Sequence, residues 1–103
     1  MKKAKVFVDG QLAGYLEEIV FYRHYRFTYI HHYQGQSVSL EMPIDQKVWD
    51  YNRFPPFFEG LLPEGLMLEA LLKKAKLDRN DYFEQLIQVG QDCVGNVTVE
   101  ADK

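Results

Sequence analysis

A chain of 103 residues with 47% apolar and 15% aromatic side chains has enough apolar surface for one buried core, which excludes intrinsic disorder. The formal net charge is −3, from 12 basic and 15 acidic residues. No basic patch stands ready to neutralise phosphates, so direct nucleic-acid binding is not expected.

Cys93 is the single cysteine; it has no internal disulfide partner, which fits a reducing compartment. No apolar run approaches the roughly 18–20 residues of a membrane span. The start, MKKAKVFVDG, turns polar at Asp9 before any signal-peptide core develops. The expectation is one cytoplasmic domain over residues 1–103, with no membrane contact.

From the N-terminus, Lys3 to Val8 alternates, with Ala4, Val6 and Val8 on one side and Lys3 and Lys5 on the other, the period of a half-buried strand. Asp9-Gly10 follows, the strongest short hairpin signal. Leu12, Gly14 and Leu16 continue the period, so the first two strands pair as a hairpin. Tyr25 to His31 is rich in aromatic and β-branched residues and predicts a third strand. After a turn at Gln34-Gly35-Gln36, the alternation of Val38, Leu40 and Met42 predicts a fourth strand over Ser37 to Met42.

Pro43 to Pro56 has no sustained period and is bracketed by prolines, so it reads as a loop. Phe57 to Leu62 reads as a short helix, because Pro56 is tolerated in a first turn. Leu66 to Leu77 is a clearer helix: Leu68, Leu71, Leu72 and Ala75 share one face, and Glu69 is spaced to pair with Lys73 on the other. Lys73, Lys74 and Lys76 fall in its last turn, where they complement the helix dipole. A third helix starts at Asp81, with Glu84 three residues on as in a capping box. It turns Phe83, Leu86 and Ile87 inward and stops at Gly90. Asn96 to Glu100 reads as a closing strand. The order predicts an α+β domain, a small antiparallel sheet or partly open barrel of about five strands packed with two or three helices.

Candidate chemistry fails at most positions. Gly60-Leu-Leu-Pro-Glu-Gly65 and Gly90-Gln-Asp-Cys-Val-Gly95 both space two glycines as a phosphate-binding loop does. Neither is followed by the Lys-Ser/Thr pair such a loop needs, and Pro63 removes a backbone donor. His31 and His32 are adjacent, so in a strand they would point to opposite faces. His24 is not expected to share a face with a carboxylate. Cys93, with Val89, Val94 and Val97 near it in sequence, reads as a small buried hydrophobe rather than a nucleophile. No catalytic residue, metal site or cofactor is expected. Trp49, the only tryptophan, has polar neighbours, and two roles stay open to it: a ring folded onto the core or an exposed interface anchor.

Two blocks carry a resemblance. Phe57-Phe58-Glu-Gly-Leu61-Leu62-Pro63-Glu64, and later Gly90-Gln-Asp92-Cys-Val-Gly95-Asn-Val97, resemble the N-terminal subdomain of the HipA-type serine/threonine kinases, toxins of bacterial toxin–antitoxin systems. The run Ser37-Val-Ser39-Leu40-Glu-Met-Pro43 fits as well, while Asn96 stands where the family prefers alanine. The resemblance implies that Phe57, Phe58, Leu61, Leu62 and Pro63 form a packed junction. Gly60 and Gly65 would then allow close backbone approach or a left-handed backbone. Gly90, Asp92 and Gly95 would form a tight turn in which the Asp92 carboxylate accepts backbone N–H bonds.

In that family a kinase body with the ATP site follows this subdomain, whereas this chain stops at Lys103. The arrangement is similar to the HipS antitoxins of tripartite HipBST systems. It implies a non-catalytic inhibitor of a HipT-like kinase toxin, in a ternary complex with a HipB-like DNA-binding protein. The alternatives are an N-terminal structural subdomain of a full-length HipA-type kinase, or a stand-alone small-molecule binder or enzyme. For the partner contact, Trp49 is expected to enter or border the kinase cleft, with Tyr51, Arg53 and Phe54 supporting it.

Overall fold

The computed structural model describes residues 2–92 and 95–102. The alternation that begins the chain forms β1 (Lys2–Val8), and Ala4, Val6 and Val8 are buried. Asp9 and Gly10 turn the chain with left-handed backbone (φ 51° and 80°), the geometry that matches the twist of a two-residue hairpin. β2 (Gln11–Val20) returns antiparallel. Val6 faces Gly14 while Phe7 faces Leu12, so Ala13 is the extra residue of a bulge, and the expected period through Leu12 breaks there.

β3 (His24–Tyr29) follows, then β4 (Val48–Tyr51) and, near the C-terminus, β5 (Val97–Ala101). The antiparallel sheet has the order β4-β3-β2-β1-β5. The last two residues of the expected third strand, Ile30 and His31, lie beyond the end of β3. His31 and His32 occupy a turn with their rings in contact, centroids 3.8 Å apart, rather than opposite faces of a strand.

The expected fourth strand is the largest difference. Ser37 to Met42 is irregular, and the strand forms instead within the segment read as a loop. Val38 and Met42 are buried, but Leu40 is fully exposed, so the alternation anchors a crossing segment without building a ladder. Side chains satisfy the backbone that a sheet would have paired. The buried Tyr29 hydroxyl accepts from the Val38 N–H at 2.9 Å and donates to the Met42 carbonyl. Ser39 Oγ and Ser37 Oγ accept from the N–H groups of Glu41 and Ile44. Burial pushes the Tyr29 hydroxyl above its usual pKa, which keeps it a neutral donor.

The helices pack on one face of the sheet. α1 (Pro56–Glu59) buries Phe58, and Phe57, Leu61 and Leu62 pack partly against the core. The sharp entry into α2 (Gly65–Ala75) uses Gly65 at φ 59°, whereas Gly60 has ordinary helical backbone. α2 buries only Leu72. Glu69 does not pair with Lys73 as its spacing suggested; it receives two hydrogen bonds from Arg79, at 2.6 and 2.7 Å. A fork-shaped guanidinium holds a carboxylate better than a flexible ammonium one turn away. α3 (Tyr82–Val89) forms one half of the expected capping box: Asp81 Oδ1 accepts from the Glu84 N–H at 3.2 Å, while the Asp81 N–H donates to the Asp78 carbonyl at 3.1 Å and Glu84 Oε1 lies 3.2 Å from Lys2 Nζ instead. It buries Phe83 and Leu86 and leaves Ile87 half-buried. Among the described residues, no helix is long and apolar enough to cross a membrane.

Candidate partner-binding surface

β4 lies at an edge of the sheet, and its register decides what its side chains do. Trp49 pairs with Phe27 and Tyr51 with Tyr25, both buried. Trp49 and Tyr51 therefore share the core face, half-buried at its rim. The Trp49 indole N–H donates to the Gln46 carbonyl at 2.9 Å, which pins the ring beside its own loop. With Glu41, Met42, Pro56 and Phe57 these two rings line a groove of about 190 Å3. One part of the Trp49 ring packs on the core, and another borders this open groove. Phe54 is buried, edge-on to Tyr25 with ring centroids 5.2 Å apart, so it supports this surface from beneath. Arg53 is exposed.

The opposite face of the sheet carries no helix among the described residues. Along one row its charges alternate strand by strand, with Lys3 facing Glu17, Glu17 facing Arg26, and Arg26 facing Asp50. Opposite charges directly across strands stabilise a solvated sheet face. His24 Nε2 and Arg26 Nε both donate to Asp50 Oδ1, at 2.9 and 2.8 Å. The two hydrogen bonds, His24 first, hold the Asp50 carboxyl below its usual range. This corrects the expectation that His24 shares no face with a carboxylate. The two residues are 26 positions apart, and only the antiparallel return of β4 along β3 brings them together.

The signature residues divide. Phe58 and Gly90 are buried and Pro63 is half-buried, while Asp92 and Gly95 are exposed, Gly95 with φ 106°. The turn after α3 is closed by the Asp92 N–H donating to the Val89 carbonyl at 2.9 Å. No hydrogen bond to the Asp92 carboxylate is present among the described residues. Cys93 and Val94, and with them the expectation of a buried Cys93, lie outside the described residues. Among those described, no group of three or more His, Cys, Asp or Glu is arranged to hold a metal ion.

Sequence reasoning missed the β2–β3 turn, Phe21-Tyr22-Arg23. Val20, Phe21 and Tyr22 are each about half exposed, at 49%, 51% and 46%. Tyr22 adopts φ 68°, an uncommon backbone for a bulky residue, costing roughly 1–2 kcal/mol. Its N–H donates to the Tyr25 hydroxyl at 3.0 Å, and the Arg23 N–H donates to the Val20 carbonyl at 3.0 Å. Those bonds hold the aromatic tip outward, where the Tyr22 ring lies 6.0 Å from that of Tyr82. The available signal was an aromatic pair in a turn without glycine or asparagine.

The chain matches the model of the HipA N-terminal domain over residues 4–100. An uncharacterized protein of Haemophilus influenzae is 31% identical over 103 residues, covering all of this chain and 95% of the relative. A solved structure described as "N-terminal domain of HipA toxin" superposes with a TM-score of 0.78 at 29% identity, covering all of this chain and 94% of that one. Five antiparallel strands with three helices on one face, the two glycine-bounded blocks and a family match across nearly the whole length lead to one conclusion: this chain belongs to the HipA N-terminal domain family.

Proposed function

We propose that this chain is a non-catalytic domain of the cytoplasm that works by packing against the body of a HipA-type serine/threonine kinase. The observation that supports this best is the end-to-end fold match to a chain described as the N-terminal domain of a HipA toxin. Its half-buried aromatic rim at β4 suits a packing role, since tryptophan, tyrosine and arginine dominate interface energetics. The favoured form is structural, with this domain completing and steadying the kinase body to which it is joined. A second form acts in trans, as an antitoxin that silences a HipT-like kinase beside a HipB-like DNA-binding protein. It is favoured by one finding, that the Haemophilus influenzae relative is matched over 95% of its own length. That relative is thus little longer than this domain.

One experiment separates the two forms. The chain is added to a HipA-type kinase body produced without its own N-terminal domain, and binding and autophosphorylation are measured. Binding with restored phosphorylation is expected for the structural role, and binding with suppressed phosphorylation and rescued growth for the antitoxin. No binding would overturn both. ATP turnover by the pure isolated chain would overturn the non-catalytic reading.

A further inference from the structure

The chain has four arginines, and two are tied to carboxylates, Arg26 to Asp50 and Arg79 to Glu69. Arg23 and Arg53 make no ion pair or side-chain hydrogen bond among the described residues. Both stand at the same corner of the sheet. Arg23 borders an open cleft of about 700 Å3 with His24, Asp50 and Tyr51. Arg53 borders a second, of about 310 Å3, with Tyr22, Glu59 and Tyr82. Asn52 lines both, so the two clefts meet around the end of β4. The half-exposed rings of Phe21 and Tyr22 flank them.

Two unpaired guanidiniums beside exposed rings form a surface with a definite complement. Guanidinium takes a carboxylate through two parallel hydrogen bonds, and aromatic faces cover apolar stems between charges. We infer that this corner docks an extended, acidic segment of a partner protein, with Arg23 and Arg53 each receiving a carboxylate and Phe21, Tyr22 and Tyr82 packing the side chains between. The inference rests on the kinase-body reading above and names the chemistry of the contact. A nucleic acid fits less well. Glu59 and Asp50 line the same clefts and would repel the dense charge of a phosphate backbone, and the whole chain carries −3. Carboxylates spaced along a peptide can be placed at the arginines and away from both acids.

The test uses the full chain and its Arg23→Glu and Arg53→Glu variants, with Lys74→Glu on α2 as a control and Arg23→Gln and Arg53→Gln as milder changes. Thermal melts establish that each variant folds. Two sets of probes are used. One is the kinase body without its own N-terminal domain; the other comprises arrayed acidic, basic and apolar peptides together with a DNA duplex. The expected result is that each reversal weakens binding to the body at least about tenfold and each glutamine variant less. The control should leave it unchanged, and added salt should weaken the wild type. If the wild type binds the body and both reversals bind it equally well, this inference is overturned while the proposed function stands. If the wild type does not bind the body, the proposed function fails and the peptides decide the inference. Acidic peptides retained only with both arginines present would sustain it. Retention of no acidic peptide, or of duplex DNA alone, would overturn it.

Discussion

Glu18 sits on the core face of β2 with only 5% of its surface exposed, and its Oε2 has no hydrogen-bond partner among the described residues. Lys2 lies 4.0 Å from its other oxygen, and closer still to Asp81 and Glu84, at 3.4 and 3.2 Å. Burial pushes the Glu18 carboxyl above its ordinary value, and Lys2 pulls it only partly back. The folded carboxyl therefore ionises later than the unfolded one, and between those two pH values the folded state keeps a proton that the unfolded state has released. Glu18 thus costs stability as pH rises from its ordinary value upward. Glu18→Gln should be at least as stable as the wild type at pH 7 and should lack this loss, as read from urea midpoints between pH 4 and 7. Gly90 makes a different demand. Its backbone is ordinary, yet an added Cβ would lie 2.2 Å from the Val99 carbonyl oxygen. Gly90→Ala should therefore cost about 1–3 kcal/mol, measured by chemical denaturation.

At the scale of elements, the two edges of the sheet are managed differently. The outer edge of β5 is covered where the Val99 N–H donates to the Gly90 carbonyl at 3.0 Å. β4 is kept to four residues, and the Gln46 side-chain amide donates to its Val48 carbonyl at 2.8 Å. Short, capped edge strands resist unwanted pairing. The helices differ too. α3 is capped by Asp81 and anchored by Phe83 and Leu86, whereas α2 holds by Leu72 and one exposed arginine fork. Asp81→Ala should cost about 1 kcal/mol in a melting experiment, because it removes the bond to the Glu84 N–H. Hydrogen exchange should show the α2 amides opening before those of α3 and of β1 to β3, since few buried contacts oppose local unfolding there. Equal protection across both helices would contradict this reading.

At the scale of the molecule, the rim of β4 packs partly on the core and lines an open groove, and under the proposed function it would serve folding and recognition at once. Trp49→Ala removes a half-buried ring, so it should lower stability by about 1–2 kcal/mol without unfolding the domain. It should also weaken binding to a kinase body by a further 2–4 kcal/mol on the order of an interface anchor. Circular dichroism and calorimetry on the same variant separate the two losses. A stability loss with unchanged affinity would assign the ring to the core alone.

Local chemistry carried much of this fold. The Asp9-Gly10 hairpin, the Asp81 cap and the apolar face of α3 depend on neighbours within a few residues, and such patterns are written directly in the chain. The aromatic junction at Phe57 and Phe58 was legible only through the family resemblance, and Phe58 is buried with Phe57 packed partly against the core. Residues 37–51 were not legible. The period through Val38, Leu40 and Met42 is that of a strand, but a strand needs an edge to pair with, and Tyr29 and two serines satisfied that backbone first. The Val48–Tyr51 segment has no long period of its own; it became a strand because β3 offered a free edge. The same pairing set Asp50 against His24 and Arg26, turned Trp49 toward the core and brought Arg53 to the corner that Arg23 occupies. The sequence alone therefore determined the elements whose bonds are local and the family they spell out. The tertiary structure decided which residues meet across the sheet, because backbone groups take whichever partner lies within reach once the core has formed.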